Sequence, residues 1–545
     1  MDQRHYLLKG TFLLTGTGLL TRTAGFFYKI FLSRTIGAAE IGRFQLTIPI
    51  FSFCMALACG GIQIAVSRFT AEYYAKKEQQ AAMRMLLSSL FLAVTLALCC
   101  CGLLLAASYR VASSVLLEPS CAGLLKLIAV SLPFSAIHGC INGYFIGQKN
   151  IGDSAAAQFA EQFLRIFSVL AFYFIFSEKG KKLDASAMAL GHIAGELASS
   201  LFCLRQIFFG KHSVFASDVG KKDSTVSPQM PITLQKHLRE TAAGMKKMSS
   251  HIRSDLQKTV SMALPLSLNR MLIYVLQSIE AALLPQMLCR FGMDNTKALA
   301  VYGTLTGMAL PLIMFPGAIT NSLGTLLLPA ISEAKVLKEE KSIAHTTNTS
   351  FSGSLLLGFF FLSAFLLFGR SAGTLLFGNS LAGEFTQKLA LLCPFLYVNI
   401  TLTSILHGLG KTILTSIWSV VSFLIRLFFI IRFVPIMGID GYFFGMVCSQ
   451  GLITACALFT LKKNSVFPDT LSDTLLKSGS VCILSSISVL TLQYILPYFQ
   501  KAAWIPFLAS ALFYSAFFLL FSFILLLDKK ARSFILRKFT IKIPG

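Results

Sequence analysis

Charge is what this 545-residue sequence has least of. Asp, Glu, Lys and Arg together make up 13% of it, about half of the ~25% with which a soluble domain covers its surface. Acidic residues are the scarcer sign, 24 against 48 Lys and Arg, for a net charge of +24. Most of the surface must therefore face something other than water. Other absences narrow the class further. The short alternating segments of an outer-membrane barrel are missing. The full phosphate-binding loop motif, GxxxxGK followed by Ser or Thr, does not occur, so direct ATP hydrolysis is not supported. The 13 cysteines, among them Cys99, Cys100 and Cys101 in one apolar run, form no CxxC pairs at metal spacing, and inside such runs a thiol is a small hydrophobe. Neither a disulfide framework, a metal nor a cofactor is expected. A cleavable leader is not evident either. The first apolar run is too long, carries Arg22 and Lys29 and lacks a small-residue cleavage site, so it reads as a retained helix.

What the sequence does have is long apolar runs. It is 55% hydrophobic with a mean hydropathy of +0.70, and runs of about 20 residues recur along it, each able to cross a hydrocarbon core of about 30 Å. Backbone groups in lipid must be satisfied internally, so these runs are helices. The expectation is an all-α polytopic membrane protein of about fourteen helices, near 8–32, 46–67, 85–108, 123–146, 155–177, 186–207, 259–285, 300–328, 350–369, 387–408, 413–435, 441–461, 478–498 and 503–528. With the N-terminus in the cytoplasm, inner segments hold about 30 Lys and Arg and outer ones about 13, which puts both termini inside. Lys179, Lys181 and Lys182 break the rule locally. The excess of basic charge is then topology and attraction to anionic lipid, and no nucleic-acid partner is expected. A basic connection over 210–258 turns helical around residues 234–257. It reads equally as an amphipathic helix on the inner leaflet and as a solvated linker.

An internal repeat organises these runs. Pro133-Phe134 and Pro394-Phe395 lie 261 positions apart, as do Arg165 and Arg426, Gly147 and Gly408, and Glu72 and Glu333, while Pro49 and Pro311 lie 262 apart. A constant offset over several elements means a duplicated six-helix unit. The unit holds an even number of helices, so its copies run in the same sense across the membrane, related by an axis along the membrane normal. The division expected is an N-lobe over 1–209 (helices one to six), the connection 210–258, a C-lobe over 259–465 (helices seven to twelve), and helices thirteen and fourteen with a basic cytoplasmic tail over 466–545. Two such lobes rocking about a central cleft are the usual mechanical basis of a transporter.

Ionisable residues inside apolar runs are expensive, so each is a functional candidate. They are Arg22, Lys29, Glu161, Arg165, Glu196, Arg270, Glu280 and Arg426. Glu161 and Arg165 are four apart on one helix face and are placed to pair; four residues before Arg426 stands Ser422 instead. The balance is cationic, and a cavity lined by Arg22, Lys29, Arg165, Arg270 and Arg426 suits an anion, because Arg grips phosphate oxygens through parallel hydrogen bonds. Arg165 and Arg426 also fit buried structural charges held by carbonyls, and Lys29 a snorkelling side chain. Glu161, Glu196 and Glu280 are the candidate groups for coupling to H+ or Na+, with simple charge pairing as the other reading. His138, His192 and His407 read more readily as helix-packing residues than as proton relays. Pro49, Pro133, Pro265, Pro311, Pro316 and Pro394 mark hinges or static kinks.

Three stretches carry a family resemblance. They are Gly25-Phe26-Phe27-Tyr28-Lys29-Ile30 with Ser33-Arg34-Thr35-Ile36-Gly37-Ala38, Ala65-Val66-Ser67-Arg68, and Tyr302-Gly303-Thr304-Leu305-Thr306-Gly307-Met308-Ala309-Leu310-Pro311 followed by Leu328-Pro329-Ala330-Ile331-Ser332-Glu333-Ala334. The sequence resembles the stage V sporulation protein B family, within the multidrug/oligosaccharidyl-lipid/polysaccharide exporter superfamily that also holds the lipid II flippase. The resemblance implies fourteen helices in two lobes, a polyprenyl-diphosphate-linked sugar as substrate, and a role in spore cortex peptidoglycan. It also implies cavity-lining basic residues in helix one. Arg22 and Arg34 match two of these positions, while the one between them is Tyr28 beside Lys29. No acid stands in Arg43-Phe44-Gln45-Leu46, where relatives often carry one.

The leading expectation is thus a flippase for an undecaprenyl-linked cell-wall precursor, in contact with membrane lipids. A small-molecule exporter of the same fold is disfavoured by the cationic lining. A glycosyltransferase would need outer carboxylates in a motif, and Glu40, Glu118, Asp184, Asp294 and Glu384 are scattered. A non-enzymatic assembly factor recruiting cell-wall synthesis proteins stays open.

Overall fold

The computed structural model describes residues 3–178, 183–209, 234–463, 471–496 and 504–526, and no strand occurs among them. Thirteen described helices are long and apolar enough to cross a bilayer. They are α2 (Ala38–Ala75), α3 (Gln79–Val115), α4 (Pro119–Gly147), α5 (Ile151–Glu178), α6 (Ala185–Phe209), α7 (Leu234–Arg290), α8 (Asn295–Met314, continued as Gly317–Val336), α9 (Glu340–Phe377), α10 (Ser380–Gly408), α11 (Thr412–Arg432), α12 (Ile439–Lys463), α13 (Leu471–Ile495) and α14 (Trp504–Leu526). With α1 (Gln3–Thr35) they make the fourteen that the apolar runs predict. The protein is a multi-pass, all-α membrane protein.

Several helices outrun their apolar stretches, because polar ends continue the hydrogen-bond ladder beyond the hydrocarbon. The largest difference is α7, a single helix of 57 residues. The second half of the 210–258 connection is therefore continuous with the seventh membrane helix. Residues 210–233, the cluster Lys179, Lys181 and Lys182, and the basic tail after 526 lie outside the described residues.

The chain divides into two compact units, Met1–Tyr28 with Arg43–Ala282, and Lys29–Gly42 with Leu283–Gly545. The boundaries between them fall inside α1, α2 and α7. In the first unit α4 is the central helix, packed on α2, α3 and α6, with α5 laid along α6. Ile62, Leu86, Leu132, Cys140 and Ile141 fill the space between them. The upstream part of α7 is fixed to α3 by polar contacts. Asp255, almost fully buried, accepts from Arg84 Nε at 2.9 Å, and Ser89 and Thr259 hydroxyls meet at 3.0 Å. These anchors fix the residues around 255–259, where the connection enters the seventh membrane helix, against α3.

α2 widens into a π turn at Ala56–Gly60. The widened turn leaves backbone groups to be satisfied from outside the helix, and α7 supplies the partners. Gly61 N–H donates to Ser267 Oγ at 3.0 Å, and Arg270 Nη1 donates to Gly60 O at 3.0 Å. The two backbones come so close here that a Cβ on Gly61 would lie 2.7 Å from the Ala263 carbonyl carbon.

The second unit repeats the arrangement with α10 at its centre, packed on α8, α9 and α12, and α11 laid along α12. Gly147 of α4 crosses α2 against Ser67 O and Thr70, and Gly408 of α10 crosses α8 against Leu328 O and Ile331, every member shifted by 261. Within the second unit the segment Lys29–Gly42 meets α8 reciprocally. Gly42 abuts Leu299 and Gly303 abuts Ala38, again two pairs 261 positions apart. α13 and α14 pack on α9 through Phe360, Phe368, Tyr514 and Phe518.

Candidate functional site

A stripe of small residues on α6, Gly191, Gly195 and Ser199, sets the site. A Cβ on Gly195 would lie 2.8 Å from Glu161 O and 3.1 Å from Arg165 Cβ, and Ser199 Oγ donates to Ala157 O at 3.2 Å. Such spacing lets membrane helices approach backbone to backbone. α5 is thereby drawn against α6, with Glu161 and Arg165 turned toward Glu196. α4 completes the group with His138.

The four side chains form a closed ring of alternating groups. Arg165 Nη2 donates to Glu161 Oε1 and stands 3.5 Å from Glu196 Oε1. His138 Nδ1 stands 3.7 Å from Glu161 Oε2 and 3.7 Å from Glu196 Oε2. One ligand atom each from His138, Glu161 and Glu196 lies within 4.8 Å of the others, a grouping able to hold a cation. The ring borders a cavity of about 260 Å³ lined by Gln63, His138, Asn142, Glu196, Arg270 and Tyr274. The π turn of α2 forms part of its wall, since Ala56, Cys59 and Gly60 also line it.

Of the predicted site residues, Glu161, Arg165 and Glu196 come together as neighbours, and the Glu161–Arg165 pair forms. Arg270 lines the adjoining cavity while held by Gly60 O. Glu280 is buried on α7 outside the ring. Arg22 is exposed on α1 in the first unit. Lys29, Arg34 and Arg426 belong to the second unit. Arg34 donates to Leu375 O and, at 2.9 Å, to Leu376 O at the C-terminus of α9. There it satisfies carbonyls that the helix end leaves open. Arg426 lies over the Phe423 ring, 4.2 Å from its centroid, a cation–π contact.

His138 is the residue that the sequence reading left as packing. The signal was the polar stripe Ser131, Ser135, His138 and Asn142, three to four residues apart on α4, which marks one helix face rather than isolated substitutions. His192 does pack, edge to face on Phe51 at 4.9 Å, and His407 meets Thr415 Oγ1 at 2.8 Å between α10 and α11.

Comparison with known proteins places this architecture. A profile described as "Polysaccharide biosynthesis protein" matches residues 7–335. The chain belongs to the polysaccharide biosynthesis protein family. Within reach of this family, the chain is 27% identical over 490 residues to Stage V sporulation protein B of Bacillus subtilis (strain 168), covering 90% of each. Among solved structures it is similar to lipid II flippase MurJ in its inward closed conformation, with a TM-score of 0.68, 14% identity, and 94% of this chain and 98% of that one covered. It is also similar to an inward-facing multidrug resistance MATE family transporter, with a TM-score of 0.60, 14% identity, and 82% and 94% covered. The fold of this family member is a transporter fold.

Proposed function

We propose that the chain is a flippase that moves an undecaprenyl-diphosphate-linked sugar, a lipid II-like precursor, across the cytoplasmic membrane for spore cortex peptidoglycan. The observation that carries the reading is the likeness along the whole chain, in sequence to Stage V sporulation protein B and in fold to the lipid II flippase. The two six-helix repeats act as lobes that alternate access by rocking, with both termini in the cytoplasm. Arg22, Lys29, Arg165, Arg270 and Arg426 offer cations to the diphosphate. Arg34, which also holds the end of α9, offers a further one. Glu161 and Glu196 offer the coupling site. The chain catalyses no covalent step; its relatives are named as flippase and transporter. Cell-wall synthesis enzymes that consume the product are fitting partners.

The test is movement of fluorescent lipid II in proteoliposomes, beside an unrelated polyprenyl-phosphate sugar. Wild type moves lipid II, and Arg22→Ala and Arg165→Ala slow it by about tenfold or more while the protein stays folded. No movement of either lipid, with or without ion gradients and a membrane potential, would sink the reading in favour of an assembly role. Export of small anions in the same vesicles would favour the second reading, a drug-type exporter, for which the likeness to the MATE transporter speaks.

A further inference from the structure

The ring on α4, α5 and α6 is one charge short of neutrality. Glu161 and Glu196 contribute two negative charges and Arg165 one positive charge. Each glutamate turns one oxygen to Arg165 and the other to His138 Nδ1. All four groups are mostly buried, with side-chain exposures of 12% for His138, 18% for Glu161, 23% for Arg165 and 9% for Glu196. An uncompensated charge in such a place is costly.

We infer that this ring binds a single proton, carried on His138 between Glu161 and Glu196, and that the proton is the coupling ion of the transport cycle. The inference rests on the transport reading for its second half only; proton binding stands on the geometry.

Three observations select a proton over a metal ion. The first is charge. One proton makes the ring neutral, whereas a divalent ion would leave it positive. The second is the donor set. A sodium ion seeks a shell of oxygens, and here one of three ligand atoms is an imidazole nitrogen, while the remaining carboxylate oxygens already face Arg165. The third is His138 itself. Its Nδ1 stands 3.7 Å from a carboxylate oxygen of each glutamate, so an unprotonated Nδ1 would turn its lone pair toward two anions. An imidazolium puts an N–H there between both acceptors and supplies the missing positive charge, although its Nε2–H, buried with no hydrogen-bond partner among the described residues, stays unsatisfied. Access is provided by the cavity that His138 and Glu196 line.

The other titratable groups around His138 are few. Glu161 and Arg165 face it from α5, and Glu196 and His192 from α6. Cys59 lies beside α4 from α2, and Arg270 of α7 lines the same cavity. Tyr28 of α1 lies within electrostatic reach of Arg165. The repeat partners of the ring are Asn399, Ser422, Arg426 and Ala457. Only the arginine is kept, so the second copy has no equivalent ring, and the ring accounts for one proton.

The experiment measures proton uptake by the purified full chain, without lipid substrate, when pH is stepped from ~8 to ~6. Wild type takes up about one proton more than His138→Gln. Glu196→Gln, which neutralises the ring by another route, loses the same proton and guards against misfolding of the first variant. In proteoliposomes a pH gradient changes wild-type flipping several-fold, a sodium gradient does not, and both variants are insensitive. Equal uptake by wild type and both variants overturns the proposal, as does sodium or zinc binding that the variants abolish. Proton uptake with no lipid movement leaves the ring standing and removes the flippase reading. Lipid movement with no uptake difference does the reverse.

Discussion

Arg165 stands between two carboxylates, and its removal would leave Glu161 and Glu196 facing each other with only His138 to separate them. Breaking a buried pair by deleting one partner costs about 3–5 kcal/mol; with Arg165 still 23% exposed, Arg165→Ala should cost about 2–3 kcal/mol. Thermal unfolding of the purified protein reads this directly. Arg165→Ala with Glu161→Gln should recover most of the loss, because the orphaned charge is gone. An equal loss in the single and double variants would show that packing of the long side chain, not charge, sets the stability. This is also the scale at which sequence reading was uneven. Glu161 and Arg165 were legible because four residues on a helix bring side chains together. His138 was not, since its partners arrive from α5 and α6, and no spacing along α4 announces two carboxylates on other helices. The bonds of Arg34 to the end of α9 were not legible for a related reason. A basic residue at a helix end suits a cavity mouth and a helix C-terminus equally, and only the position of α9 decides.

At the level of elements, the join of α2 and α7 is the sensitive place. The two adjacent glycines there have opposite freedom. A Cβ on Gly60 would sit 3.5 Å from Arg270 Cδ, ordinary contact with a flexible side chain, whereas on Gly61 it would strike the Ala263 backbone, which cannot yield. Gly60→Ala should therefore stay within about 0.5 kcal/mol of wild type, and Gly61→Ala should lose about 1–3 kcal/mol. Comparison of unfolding temperatures checks both, and equal behaviour would refute the close approach. Gly61→Ala should also slow transport, because separating the helices withdraws Ser267 from Gly61 N–H and Arg270 from Gly60 O, and with them one wall of the cavity. Apolar runs announced where helices cross the membrane, but not that the polar stretch before the seventh run continues it as one helix. Buried Asp255 and Thr259 resemble linker residues until Arg84 and Ser89 of α3 are placed against them.

For the whole molecule, the repeat offset read from a handful of residues returns in the packing. Gly147 on α2 and Gly408 on α8 make the same crossing 261 residues apart, and Gly42 and Gly303 meet reciprocally. The mate of α2 is α8, yet α8 is broken at Phe315 and Pro316 into two pieces, Gly317–Val336 alone having 20 residues. Twenty residues at 1.5 Å each reach about 30 Å, enough to span. If both pieces crossed, every later segment would change sides. The repeat argues otherwise. α2 runs as one element from Ala38 to Ala75 with its own irregular turn at Ala56–Gly60, and Pro316 lies 261 positions after Met55, at the start of that turn. The break in α8 is then the counterpart of the π turn, and α8 crosses once. Alkaline phosphatase, active only outside the cytoplasm, decides the matter. Fused after Met293 it should be active, and fused after Lys338 or Lys411 inactive. Activity at Lys338 would mean a double crossing, an outward C-terminus and two copies that run in opposite senses, and the rocking of two like lobes would fall with it.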